Sequence, residues 1–321
     1  MSTTSKPPRP RRKTIYHVRN WSEYDRALVQ RGSLTLWIDA RVQQQWEYAG
    51  PPRRGAQFTY SDVAIAAMLT LKELFHLSNR ATEGLGRSLF NLLRVRLAVP
   101  DHTTLSRRGK TLRVRLPRQA RGPLHLVLDS SGLKVYGEGE WKVRQHGWSQ
   151  RRTWRKLHLG VDADSGEIQA AVLTEAGAHD AEVVAALLEQ VERPLTSLAA
   201  DGAYDRANVY QAVQARAPTA PISIPPRRDA RIHQHGNRHA PPLPRDENLR
   251  YIRQHGRARW KRVSGYQRRC LAETAVFRLK TIFGDRLSAR QFDTQATELG
   301  IRCRVLNRMT HLGMPESYPV N

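Results

Sequence analysis

The order of apolar segments in the middle of the chain constrains the fold more than any other feature of this sequence. Three segments with the composition of buried strands follow one another, LHLVLDSSG, RKLHLGVD and EIQAAVLTE. The last two are joined at a turn sequence that is typical of a hairpin. Two further strand-like segments, LTSLAADGAYD and APISIPP, alternate with helical patterns. The order β-β-β-α-β-α-β, followed by a gap and a last helix, predicts an α/β fold with a mixed five-stranded sheet covered by helices.

Two of these predicted strands end at an aspartate, and small residues follow each of these aspartates. Asp129 precedes SSG, and Asp201 precedes GA. Ligands and reacting groups in sheets of this class collect beyond the carboxyl ends of the strands. If the first and fourth strands are neighbours, the two aspartates therefore converge. A single aspartate after a strand is more often only a turn former, so the spacing alone leaves both interpretations open.

A third carboxylate is predicted to come from residues 264–284, which have the periodicity of an amphipathic helix. At about 100° per residue, Tyr266, Glu273 and Lys280 fall within about 40° of one another. Arg269 lies about 60° away from them. An acid and a base on this stripe indicate that something polar lies opposite, although a solvated glutamate is the alternative. The residues predicted to pack toward the sheet are Leu271, Ala275, Val276, Leu279 and Phe283.

Carboxylates from three separate elements suit a hard divalent cation. Asp129, Asp201 and Glu273 offer oxygen ligands of the kind that Mg²⁺ or Mn²⁺ prefers. Two such ions about 3.5–4 Å apart can activate an attacking oxygen and stabilise a leaving oxygen in an in-line displacement. Spacing alone does not select this set, because the same region holds other acids, among them Asp162, Asp164, Asp180 and Asp205.

The charge balance predicts a polyanionic partner. The chain has 53 Lys and Arg against 29 Asp and Glu, which gives a net charge of +24. An anionic membrane is the alternative, but the longest apolar run, Val63 to Leu71, is too short to span a bilayer. No signal-peptide core is visible, and Cys270 and Cys303 lack zinc or redox spacing. We therefore expect a cytoplasmic protein that binds double-stranded DNA, with no membrane partner.

The chain divides into regions of different composition. Three predicted helices, from about Asp62, Ala81 and Thr103, suit a helix-turn-helix-like module in which Thr104, Arg107 and Arg108 would contact DNA. A helical bundle with a basic face is the alternative. The expected regions are a basic flexible arm (1–20), a helical DNA-binding region (21–120), a first part of the α/β core (121–224), a basic insertion of little periodicity (225–264), and a second part with the C-terminal helix (265–321).

Four residues of the last predicted helix form the motif Y-x2-R-x3-E-x6-K, namely Tyr266, Arg269, Glu273 and Lys280. This spacing resembles the signature of bacterial insertion-sequence DDE transposases. Four segments further resemble the branch of that family named after insertion sequence five: LDSSGLKVYGEGEW, RRTWRKLHLGVD, DGAYD and FRLKTIFGDRLSAR. The likeness runs from about residue 19 to 315. It implies a ribonuclease-H-like core in a nucleoid-associated enzyme.

The resemblance also implies roles for individual residues. Asp129, Asp201 and Glu273 would bind two Mg²⁺ ions, with Mn²⁺ as a substitute, whereas Asp205 is not the catalytic position. Three residues would hold the phosphates of the element's end, and these are Tyr266, Arg269 and Lys280. Trp260, the only tryptophan of the insertion, would stack on a flipped base, with a packing role as the alternative. Composition alone leaves two roles open for the basic aromatic stretch Trp141–Lys156, which would either line DNA or hold a loop together.

The implied function is DNA transposition. The enzyme would bind the terminal inverted repeats of its own element, cleave strands by hydrolysis and transfer the freed 3′-hydroxyls into target DNA. Pairing two ends implies a homodimer or a higher assembly. Two alternatives stay open: a metal-dependent nuclease of the same fold that cuts without joining, and a non-enzymatic DNA-binding regulator. Loss of a carboxylate would indicate the regulator, and all three are present.

Overall fold

The computed structural model describes residues 15–52, 54–55, 57–135, 154–227, 229–234 and 242–320. The predicted arm up to Lys13 and most of the stretch Trp141–Lys156 lie outside these residues. The strands within them are β1 (Ile15–Val18), β2 (Leu124–Val135), β3 (Trp154–Asp162), β4 (Ile168–Glu175), β5 (Leu195–Ala199), β6 (Ile222–Ser223), β7 (Arg286–Leu287) and β8 (Ser317–Val320). The helices are α1 (Trp21–Gln30), α2 (Leu34–Trp37), α3 (Ala40–Gln44), α4 (Asp62–Leu74), α5 (Asn79–Leu92), α6 (His102–Gly109), α7 (Val184–Glu189), α8 (Ala207–Arg216), α9 (Pro244–His255), α10 (Arg257–Val263), α11 (Cys270–Phe283) and α12 (Phe292–Leu312).

The central sheet is mixed, as the order of apolar segments predicts. Its main strands lie in the order β4-β3-β2-β5-β6, and the short strand β7 also pairs with β2. β2, β3 and β4 are antiparallel neighbours, whereas β5 runs parallel to β2 and β6 runs parallel to β5. The helical segments that precede β5 and β6 make these parallel crossovers possible. The sixth strand is a small correction to the five-stranded prediction.

Alternation along β2 sends its side chains to two different cores. Leu126 and Leu128 belong to the core that α7 and α8 cover. Val127 and Leu133 belong to the opposite core, which contains residues of α11 and α12. Because the side chains of a strand alternate with a period of two, Asp129 projects to the same face as Val127. This alternation directs Asp129 toward α11.

The helices of the N-terminal region share a core with the sheet. α4, α5 and α6 lie close to their predicted positions, and α4 and α6 contact α12. One hydrophobic core joins buried residues of these helices to residues of β2, β3 and α11. A buried Arg302 on α12 donates to Glu73 Oε2 at 2.8 Å, which ties α4 to α12. The core is therefore continuous across the boundary expected near residue 120.

The chain ends and the insertion depart from the expected pattern. Residues 15–18, expected in a flexible arm, form β1 and pair with β8 in an antiparallel ribbon. The insertion forms α9 and α10, although its sequence shows little periodicity. Proline at the start of α9 and two acids in its first turn favour a helix there, and Gly256, with φ of +82°, ends it. Only Asp246 and Leu249 of α9 are buried, so no apolar stripe indicates this helix. None of the described helices is long and apolar enough to cross a membrane.

Candidate active site

The strand register brings Asp129 and Asp201 together. Parallel pairing of β2 and β5 places Val127 opposite Ala199. Asp129 and Asp201 each follow these residues by two positions, so their side chains lie side by side on the same face of the sheet. The prediction that Asp129 ends its strand is wrong, because β2 continues to Val135. Pairing with β3 along nine positions extends the strand beyond the aspartate.

Asp201 also forms a turn. It lies just beyond β5 and caps the short 3-10 turn Gly202–Tyr204, with its Oδ1 accepting from the backbone N–H of Ala203 at 2.9 Å. Both interpretations of an aspartate after a strand therefore apply to this residue. Its cap holds the carboxylate beside the end of β5.

The helix that carries Glu273 packs over these strands. α11 contacts β2 and β3, and four of its five predicted core residues are buried, with Leu271 partly buried against the same core. The α-helix begins at Cys270, six residues later than predicted. Residues Tyr266–Arg269 form a 3-10 turn that follows Gly265, whose left-handed φ of +66° interrupts the helix.

Arg269 links two of the three carboxylates. Its Nη1 lies 3.7 Å from Asp129 Oδ1, and its Nη2 forms a short ion pair with Glu273 one turn further along the helix. The guanidinium also lies over the ring of Tyr266, at 5.7 Å from the ring centroid. Lys280 Nζ donates to Ser131 Oγ at 2.7 Å, two residues beyond Asp129 on β2. These contacts gather all four motif residues near Asp129 and Ser131 of β2.

The carboxylates influence one another electrostatically. Burial raises the pKa of Asp129 above its ordinary value, and the negative charges of Glu273 and Asp201 raise it further. A backbone hydrogen bond from Ser130 and the Arg269 guanidinium oppose this rise without cancelling it. Burial is the largest cause of this rise, so Asp129 is held in a partly desolvated position.

The donor set fits a hard divalent cation in its chemistry. Carboxylate oxygens are the ligands that Mg²⁺ prefers, and Asp129, Asp201 and Glu273 would supply them from β2, the end of β5 and α11. In the described part of the chain, no three histidine, cysteine, aspartate or glutamate side chains converge closely enough to hold a metal ion as they stand. One carboxylate of the set, Glu273, is instead turned to Arg269.

Trp260 packs inside the protein and does not project toward a ligand. Its side chain is only 2% exposed, and its Nε1 donates to Asn248 Oδ1 at 2.9 Å. Its ring lies 5.6 Å from the ring of Tyr266, centroid to centroid. Stacking on a flipped base is therefore excluded in this conformation, and the packing alternative describes Trp260 better. The Trp260 ring therefore packs beside the ring of Tyr266.

Ser130 connects β2 to a polar cluster on the opposite face of the sheet, which the sequence did not indicate. Lys156 Nζ and His158 Nδ1 lie 2.9 Å and 3.3 Å from Asp180 Oδ1. Burial raises the pKa of Asp180, but its close contacts with His158, Lys156 and Ser130 outweigh burial and hold that pKa well below its usual range. An ionised Asp180 therefore supports β2 directly behind Asp129.

Two family models, both described as a transposase DDE domain, match the chain over residues 29–138 and 120–308. The second match alone covers more than half of the chain and includes Asp129, Asp201 and Glu273. The chain belongs to the transposase DDE domain family. A solved structure of the piggyBac transposase synaptic complex with hairpin DNA is similar at 12% identity and a TM-score of 0.40, over 87% of this chain and 75% of that chain. The resemblance to DDE transposases is thus confirmed, and the insertion-sequence-five branch stays a prediction.

The N-terminal residues predicted to contact DNA differ in whether their side chains are free to bind it in this transposase. Arg108 is buried: it pairs with Asp62, donates to the Tyr60 carbonyl at 2.7 Å and lies 3.8 Å from the centroid of the Phe58 ring. Its predicted DNA contact is therefore wrong in this conformation. Thr104 is also engaged, because its Oγ1 donates to the helix-capping Asp101 at 3.0 Å.

Arg107 is exposed, and its Nη2 makes only a long contact of 3.4 Å, with Thr104 Oγ1. We therefore expect Arg107→Ala to weaken DNA binding on all sequences and to reduce the salt slope by about 1, with an unchanged Tm. Arg108→Ala should instead lower the free energy of unfolding by about 2 kcal/mol, because it leaves the Tyr60 carbonyl unpaired. Fluorescence anisotropy at several salt concentrations and thermal melting would measure both. An equal effect of the two substitutions on the salt slope would contradict this division.

Proposed function

We propose that this transposase binds the terminal inverted repeats of its own insertion sequence, cleaves their strands and transfers the 3′ ends into target DNA. One observation carries this proposal. The register of β2 and β5 brings Asp129 beside Asp201, under the helix that carries Glu273. The proposed fold is ribonuclease-H-like, and it is supported by three antiparallel strands followed by two parallel ones in the order β4-β3-β2-β5-β6.

The three carboxylates would hold two Mg²⁺ ions, or Mn²⁺ in their place. When bound, the ions would activate the attacking oxygen and stabilise the leaving oxygen of the phosphodiester. Asp129 and Asp201 supply ligands from adjacent strands, which are rigid elements. Glu273 supplies its ligand from a helix, and its side chain is 52% exposed, which leaves it free to change rotamer.

The basic residues of the motif would hold the DNA end. Arg269 presents a planar fork that can grip a phosphate with two hydrogen bonds. A phosphate would compete with Asp129 and Glu273 for this guanidinium. Lys280, held by Ser131, would act as a point charge further along β2. Tyr266 would add a ring and a hydroxyl beside the same phosphate.

Double-stranded DNA is the proposed partner, and its binding surface includes the insertion. Several arginine and lysine side chains of the insertion are exposed: Arg227, Arg231, Arg253, Arg259, Lys261 and Arg262. Positive charge of this density favours phosphates without selecting bases. The helical region 21–120 would add contacts through Arg107. Pairing two ends of the element would require a homodimer or a higher assembly.

The test uses the full-length protein and duplexes that carry the inverted repeats flanking its gene. We expect Mg²⁺-dependent strand cleavage that leaves a 3′-hydroxyl, followed by joining to a second duplex. A duplex with a scrambled end is the control and should be neither cleaved nor joined. Cleavage without any joining would favour a nuclease of the same fold. End-specific binding without cleavage in Mg²⁺ or Mn²⁺ would favour a regulator.

A further inference from the structure

Asp205 is the last residue of the DGAYD motif, and its carboxylate is fully buried. Its Oδ1 accepts from Arg245 Nε at 2.9 Å and from the Tyr210 hydroxyl at 3.1 Å. Its Oδ2 accepts from Arg245 Nη2 at 3.3 Å and from the backbone N–H of Arg227 at 3.2 Å. With both oxygens used inside the protein, this carboxylate has no free lone pair that faces a ligand, and its role must be sought in what it connects.

The contacts of Asp205 join three segments that are distant in the chain. Tyr210 lies on α8, Arg227 lies where the insertion begins, and Arg245 lies in the first turn of α9. Arg245 also donates to the Arg231 carbonyl at 3.0 Å, so that one guanidinium binds both the insertion and Asp205. A buried fork between arginine and a carboxylate has a narrow geometry, because both hydrogen bonds must form in one plane. The insertion is thus held in one position relative to Asp205.

The same residue ends the turn that begins at Asp201. The turn is short and internally bonded: Tyr204 N–H donates to the Asp201 carbonyl at 3.2 Å, and Asp205 N–H donates to the Gly202 carbonyl at 3.3 Å. The insertion also lies close to this turn, because a Cβ added at Gly202 would lie 3.4 Å from the Pro225 carbonyl oxygen. A movement of Asp205 is therefore transmitted to Asp201 through only three residues.

We propose that Asp205 and Arg245 form a clamp that locks the insertion to the Asp201 turn, which makes Asp205 a positioning residue for the Asp201 carboxylate. This proposal rests on the proposed function, in which Asp201 acts directly on the reaction. The clamp has a second consequence. It couples the basic surface of the insertion to the carboxylates. DNA bound on that surface is therefore held in a fixed position relative to the reacting phosphate.

The experiment compares Asp205→Asn and Arg245→Lys with Glu189→Gln, which makes the same acid-to-amide change at an exposed position of α7, outside the insertion. Hydrogen exchange of the full-length protein without DNA reports the turn directly. We expect the amides of residues 203–206 to exchange at least about tenfold faster in both clamp variants and at the wild-type rate in the control. Unchanged exchange in the clamp variants would overturn the proposal.

Single-turnover cleavage at saturating DNA reports the positioning role. A misplacement of about 1 Å can cost about a hundredfold in rate, and we expect a loss of that order for Asp205→Asn with a nearly unchanged KM. Arg245→Ala should regain turn protection and cleavage when guanidinium is added at millimolar concentration, whereas sodium chloride at equal ionic strength should restore neither. If the clamp variants exchanged their turn amides faster but cleaved DNA at the wild-type rate, the positioning role of Asp205 would be overturned. A wild-type protein that cut no DNA would refute the proposed function, while the exchange comparison would still decide the clamp.

Discussion

We expect Asp129→Asn and Asp201→Asn each to reduce DNA strand cleavage by about a thousandfold or more, because each substitution removes several kcal/mol of cation binding at the reacting phosphate. Binding of DNA ends should persist, since neither carboxylate offers a favourable contact to a phosphate. Asparagine is the sharper replacement at Asp201, because its side-chain oxygen can still cap Ala203 N–H and keep the turn. Single-turnover nicking beside a gel-shift assay would measure both quantities, with Glu189→Gln, at an exposed position of α7, as the control.

The thermal melt of Asp129→Asn separates a chemical loss from a folding defect. Burial and the neighbouring carboxylates raise the pKa of Asp129 in the folded protein. An aspartate with a raised folded-state pKa lowers stability at pH values above that pKa, because folding disfavours its ionised form. The neutral asparagine should therefore leave the Tm unchanged or raise it at pH 7. Residual Mg²⁺-dependent nicking close to the wild-type rate in either variant would remove that aspartate from the site.

The second large effect is expected at Glu273 and Arg269, which form one ion pair but have different proposed roles. Glu273→Gln keeps the side-chain size and the helix propensity but removes the charge that a magnesium ion needs. We expect it to bind paired ends and to lose nearly all hydrolysis. Arg269→Lys keeps the charge but loses the planar fork that reaches Asp129 and Glu273 together. We expect weak hydrolysis, about a hundredfold below wild type, and poorer end binding.

Three measurements distinguish these two variants: thermal melting, assembly of the end complex and single-turnover cleavage. Mn²⁺ affinity without DNA adds a readout that does not depend on activity. It should fall in Glu273→Gln, which lacks a ligand charge, and persist in Arg269→Lys. Normal cleavage by the glutamine variant would show that α11 contributes structure alone. The same pattern of defects in both variants would contradict the separate roles.

The sheet and the active-site helix were predictable from sequence because their signals are local. Each of the five main strands of the sheet lies in its own run of apolar residues, and the two parallel crossovers follow from the alternation of strands and helices. The apolar residues of α11 pack on the sheet as the helical repeat predicts, whereas Tyr266 and Arg269 of the polar stripe lie in the 3-10 turn before the helix. The family motif selected Asp129, Asp201 and Glu273 from several acids that composition does not separate.

The roles of individual basic and aromatic residues were not predictable in the same way. Arg107 and Arg108 are neighbours with the same chemistry, yet one is exposed and the other is buried beside Asp62, 46 positions away. Trp260 occupies the position where an exposed aromatic residue was expected, and it is buried against Tyr266. The helices of the insertion were also missed, since α9 buries too few apolar side chains to produce a periodic pattern.

The sequence by itself determined the succession of strands and helices along the chain and the apolar face of α11, and its motifs selected the three carboxylates that we propose as the site. Periodicity and motif spacing are properties of neighbouring residues, and they can be recognised without knowledge of the fold. Only the tertiary structure decided which partner each charge meets. Arg269 lies against Asp129 across 140 positions of chain, and Arg245 is buried against Asp205 across 40. Burial and distance set the strength of such contacts, and both arise only when remote segments pack together.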